Sequence, residues 1–189
     1  TNAGSYTATA SGLSNGNYKL PAANTVSFTI AKATPTVTAP TAKTGLAYNG
    51  AAQALVNAGS TTGGTLEYSL DGTTYSTTIP SATNVGTYTV YYRVVGNANY
   101  NDVAAQTVSV TIAASQSAVA TAPTVKAGLV YNGSAQALIN AGTATNGTMQ
   151  YSSDGTTFST TIPTGTNAGS YNVWYMVKGD ANHNDTKPV

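Results

Sequence analysis

Between Tyr88 and Val94 apolar and polar positions alternate: Tyr88, Val90, Tyr92 and Val94 fall on one side, and Thr89, Tyr91 and Arg93 on the other. A period of two predicts a strand with one buried face, bounded here by Gly86 and Gly96. Gln106 to Ile112 alternates in the same way, placing Val108, Val110 and Ile112 opposite Thr107, Ser109 and Thr111. Shorter strands are expected at Thr36 to Ala39, Ala54 to Asn57, Thr65 to Leu70 and Tyr75 to Ile79, with Asn49-Gly50 and Asp71-Gly72 as turn dipeptides. No stretch sustains a helical period, because β-branched Thr and Val and scattered Gly and Pro interrupt each candidate. The expected fold class is all-β, and about six or seven short strands at turn spacing predict a β-sandwich.

The pattern then returns. LAYNGAAQALVNAG from Leu46 recurs as LVYNGSAQALINAG from Leu129, and YSLDGTTYSTTIP from Tyr68 recurs as YSSDGTTFSTTIP from Tyr151. TNVGTYTVYY from Thr83 recurs as TNAGSYNVWY from Thr166. The period is about 83 residues, the self-similarity of a tandem array. The opening TNAGSY fits one period earlier, with Tyr6, Tyr18, Phe28 and Ile30 on Tyr88, Tyr100, Val110 and Ile112. The expected division is 1–33, the last third of one copy; 34–115, a complete copy; and 116–189, a copy lacking its last strand. The joints AKATPT after Ile30 and AASQSAVATAP after Ile112 are short and hold no long Gly run, so neighbouring copies are expected to have restricted swing. A copy without its last strand leaves a sheet edge that could accept a strand from an identical chain, building a filament by strand complementation. A window cut from a longer chain leaves the same edge and is the simpler reading.

The blocks LxYNGxAQxLxNAG, YSxDGTTxSTTIP and TNxGxY, closed by a TVSxTIA strand, resemble the bacterial immunoglobulin-like and MBG-type (mostly β, glycine-rich) repeats of large surface proteins and adhesins. The resemblance covers nearly the whole chain. It implies tandem immunoglobulin-like β-sandwiches that serve as an extracellular stalk or filament at a bacterial surface, with any ligand-binding tip or anchor elsewhere. The Gly-x-Tyr of TNxGxY at a strand entry is similar to the tyrosine corner of such sandwiches, although its spacing differs. The family supplies no catalytic or binding residue to carry over.

Composition narrows the chemistry further. Hydrophobic residues make up 41% of the 189, enough for packed cores, but charged residues only 7%, against roughly 25% in an average soluble domain. Seven Lys and Arg face six Asp and Glu, a formal charge of +1, so no basic field exists to hold nucleic acid or an anionic membrane. There is one His and no Cys, which removes thiol chemistry, cysteine metal sites and disulfides. No apolar run approaches the roughly 18 residues of a membrane helix, and no signal-like segment is visible. No acid, base and nucleophile converge on a motif, so neither an enzyme nor a cofactor is expected.

Four positions carry the best candidate contact surface. Tyr91 and Trp174, with Arg93 and Met176 two positions on, project from the face opposite the core stripe. Outward aromatics can stack on a glycan or pack against a host protein; covering by a local loop explains them equally. Expected partners are neighbouring repeats or identical chains, with a glycan or protein at this surface. The loops GNANYND, Gly96 to Asp102, and GDANHND, Gly179 to Asp185, offer Asn99, Asp102, Asn182 and Asp185 as weak calcium ligands. The stronger reading is that Asn and Asp shape the turn, since the first copy places Lys19 in this loop. His183, in the place of Tyr100, is expected to be an exposed loop residue. Lys43 and Lys126 recur, but the last strand has no Asn and Glu67 becomes Gln150, so an isopeptide crosslink lacks its parts. The sequons at Asn132, Asn146 and Asn184 matter only in a host able to glycosylate them.

Overall fold

In the computed structural model, which describes residues 1–189, the chain is all β and holds no helix. Seven strands of five residues or more, β1 to β7, carry its ladders: Gly4–Thr9, Thr25–Ile30, Thr65–Ser69, Gly86–Val95, Val103–Ile112, Gly147–Ser152 and Trp174–Gly179. The rest are short pieces gathered into small sheets, mostly antiparallel. Packing divides the chain into two compact units.

The first unit comprises Thr1–Lys43, Ala54–Ser81 and Tyr88–Val110. β1 and β2 form an antiparallel hairpin in register from Gly4↔Ile30 to Thr9↔Thr25, with Tyr6 stacked on Phe28 at 5.8 Å. β3, β4 and β5 make a three-stranded sheet with β4 in the centre. Val90, Tyr92 and Val94 of β4 point inward and are buried, together with Leu55, Val56, Tyr68 and Val110. Thr89, Tyr91 and Arg93 face the other way and are not buried, as the period of two requires. Val37–Thr38 pairs with Ser60–Thr61, and Thr41–Ala42 with Val56–Asn57.

The second unit comprises Thr44–Gln53, Ala82–Thr87 and Thr111–Val189. β6 and β7 pair antiparallel from Gly147↔Gly179 to Ser152↔Trp174. Ile139, Met149, Tyr151 and Val177 form its buried core, flanked by Val119, Leu138, Ala144, Ile162, Val173 and Tyr175. Shorter ladders join Thr124–Val125 to Ile139–Asn140 and Gln136–Ala137 to Thr164–Gly165.

One expectation changes, and one difference between the copies appears. Tyr75 to Ile79 is not a strand: only Ser76 bridges back to Tyr68, and the Ser76 hydroxyl accepts the N–H of Thr78 at 3.3 Å. That local bond offers the backbone an alternative to a ladder. In 116–189 the counterpart of β4 begins only at Trp174, whereas β4 itself begins at Gly86. Thr186 and Val189 bond the backbone of Val177 and Tyr175, but Gly169 to Val173 has no neighbouring strand there and takes no strand conformation.

Candidate functional site

The outward aromatics sit on their own turns. Gly72 and Gly155 follow Asp71 and Asp154 with φ of 71° and 74°, a backbone that costs a glycine nothing. The rings of Tyr91 and Trp174 lie so close that a Cβ added at Gly72 or Gly155 would stand 3.3 or 3.2 Å from them. Both rings are half-buried. Arg93 donates from Nε and Nη2 to Glu67 at 3.0 and 2.9 Å, and its guanidinium lies 4.0 Å over the Tyr75 ring. Met176 is also half-buried and pairs across the ladder with Gln150. Lys43 and Lys126 are exposed.

The Asn-rich loops have a different role. Each begins with the same internal brace: the N–H of Gly96 donates to Asp102 Oδ1 at 2.7 Å, and that of Gly179 to Asp185 Oδ1 at 2.9 Å. The Asn97 side chain accepts the N–H of Asn99, and Asp180 accepts that of Asn182, both at 2.8 Å. These bonds shape the turn from which the Asn99 and Asn182 side chains reach inward to the copy before. Asn99 Oδ1 accepts the N–H of Ala3 at 2.8 Å, and Asn182 Oδ1 accepts that of Val85 at 3.0 Å. Ala3 and Val85 occupy the same place in TNxGxY.

Backbone bonds complete each joint. Ala33 donates to the Asn99 carbonyl at 2.9 Å and Ser115 to the Asn182 carbonyl at 3.0 Å. A parallel bridge pairs Ala33 with Tyr100, and a parallel ladder pairs Ser115–Gln116 with His183–Asn184. The amides of Asn101 and Asn184 reach the carbonyls of Lys32 and Ala114. At the first joint Lys32 Nζ donates to the Asn97 carbonyl at 2.9 Å. At the second the Ser117 hydroxyl donates to the Asn184 carbonyl. Each such bond contributes about 0.5–1.5 kcal/mol net, and more is lost if a covered partner is left unpaired.

His183 is not an exposed loop residue. Its side chain is 10% exposed, edge-on to Tyr48 with ring centroids 5.1 Å apart, and its Nδ1 is 2.7 Å from Asp180. The N–H of Asn182 and then the His183 ring hold the Asp180 carboxyl below its usual range. The Lys178 ammonium and the Gly179 N–H do the same for Asp185.

The four weak calcium candidates are therefore placed, with the side-chain oxygens of Asn99, Asp102, Asn182 and Asp185 all accepting backbone N–H groups. No three His, Cys, Asp or Glu side chains stand together in the chain. The inward reach of the loops to the preceding copy was not read from the sequence. Its signal was there: Asn99 and Asn182 hold one position in both loops while Tyr100 gives way to His183. No protein-family model matches the chain, nor does any curated protein or solved structure.

Proposed function

We propose that the chain is a structural segment of an extracellular protein, a run of immunoglobulin-like sandwiches that acts as a stalk or filament at a bacterial surface. The observation that carries this reading is the joint: the same Asn-to-backbone bond ties each loop to the copy before it, at Ala3 and at Val85. A segment whose task is to transmit position needs its copies fixed to each other, whereas independent binding modules do not. The tyrosine hydroxyls add support for the sandwich. Tyr6 donates to the Asn2 carbonyl at 2.7 Å and Tyr171 to the Asn167 carbonyl at 2.8 Å, the back-bond that a tyrosine corner makes. The blocks that resemble surface-protein repeats support the location.

On this reading the segment holds and spaces; it converts no substrate and uses no cofactor. A glycan-binding or protein-binding role is the weaker alternative, because Tyr91 and Trp174 already cover Gly72 and Gly155. The test is antibody labelling of the producing cells with serum raised against residues 34–115. Labelling of intact cells is expected; labelling that appears only after permeabilisation overturns the proposal.

A further inference from the structure

TNxGxY occurs three times, and the loop contact covers it twice. The third, Thr166 to Tyr171, has no loop on it. Thr83, Val85, Gly86 and Tyr88 are half-buried, while their counterparts Thr166, Ala168, Gly169 and Tyr171 are exposed. Tyr48, which meets His183 edge-on, is half-buried; its counterpart Tyr131 is 65% exposed and the adjoining Val130 is 74% exposed. A cavity of about 230 Å³ opens there between Leu129–Tyr131 and Gly165–Gly169.

We infer that this surface is an open socket for the Asn-rich loop of a further copy of the repeat. Its recognition chemistry is an Asn side-chain oxygen on the Ala168 N–H, as at both occupied joints, and an imidazole ring beside Tyr131, as His183 stands beside Tyr48 at the second. The contact is head-to-tail, since loop and turn are different surfaces on each copy. Such heterologous contacts extend in one direction wherever their rotation does not close a ring. The occupant is committed by precedent, because Asn99 and Asn182 make the same bond although their neighbours Tyr100 and His183 differ. The loop comes from a copy placed after this one in the same chain, because both Asn-rich loops present here are already engaged within it.

The inference rests on the tandem-repeat reading but not on cell-surface location, so the two fail separately. The experiment is amide hydrogen exchange, followed by nuclear magnetic resonance at Ala3, Val85 and Ala168. In the 189-residue chain Ala3 and Val85 should exchange slowly and Ala168 fast. Appending a second stretch of sequence 107–189 directly after Val189, which stands one period after Gln106, supplies a new loop. Ala168 exchange should then slow about tenfold or more. Replacing the Asn182 counterpart in the added stretch by Ala should restore fast exchange at Ala168, while Asp, which keeps the acceptor oxygen, should not. Unchanged exchange at Ala168 beside a folded added stretch overturns the socket. Within the original chain, Asn182→Ala should speed exchange at Val85 and Asn182→Asp should not; no change at Val85 overturns the role of the loop even if the longer chain does not fold.

Discussion

The Asp71 carboxylate accepts the N–H groups of Thr73 and Thr74 and the Ser69 hydroxyl, all at 2.7 Å. Asp154 repeats the set with Thr156, Thr157 and Ser152. The Thr74 N–H first, then the Ser69 hydroxyl and the Thr73 N–H, hold the Asp71 carboxyl far below its usual range; for Asp154 the order is Thr157, Ser152, Thr156. A carboxyl depressed on folding stabilises fully above its unfolded value, near 4, and the contribution is lost as pH falls through the folded value. The Asp71→Ala, Asp154→Ala double variant should therefore melt below the parent by a margin that is constant between about pH 7 and pH 5 and shrinks only below about pH 4. Thermal melts across that range check it, and a margin that shrank near neutral pH would disprove it. The Asp-Gly turn was legible because that dipeptide is turn chemistry. The burial of His183 was not, since its cover comes from Tyr48, far away in the chain.

At the scale of the element, β4 and its counterpart show how far a strand depends on its neighbours. β4 runs ten residues beside β3 and β5, while β7 runs six beside β6. The apolar face follows: Leu55 is fully buried in the first unit, but its counterpart Leu138 is only half-buried in the second. Leu55→Ala should cost about 2–5 kcal/mol, the usual range for a buried Leu. Leu138→Ala should cost clearly less, because part of its side chain already meets water. Chemical denaturation of the two variants compares them, and equal losses would contradict the difference in packing. The long alternating strands were readable from Tyr88 to Val94 and Gln106 to Ile112. Two-residue pieces such as Val37–Thr38 and Gln53–Ala54 are too short to show a period, so their partners could not be read.

Across the whole molecule, ion pairs should have little part in stability. The ion pairs are Arg93 with Glu67 and Lys178 with Asp185, joined by His183 with Asp180 when the imidazole carries a proton, and at least one member of each is substantially exposed. Exposed pairs contribute about 0–1 kcal/mol and are screened by salt. The melting temperature should accordingly move by only about 2 °C or less between roughly 0.05 and 1 M sodium chloride; a larger fall would assign these pairs a greater share. Repetition was legible from the sequence alone. The grouping into packing units was not, because the bonds of Asn99 to Ala3 and Asn182 to Val85 leave no mark on local periodicity. Those bonds grip a backbone N–H, and the side chain at that place is Ala in one turn and Val in another. Gene duplication can therefore add or remove copies without inventing a new interface, because every duplicate inherits both halves of the fastening and tolerates drift in the residue it holds.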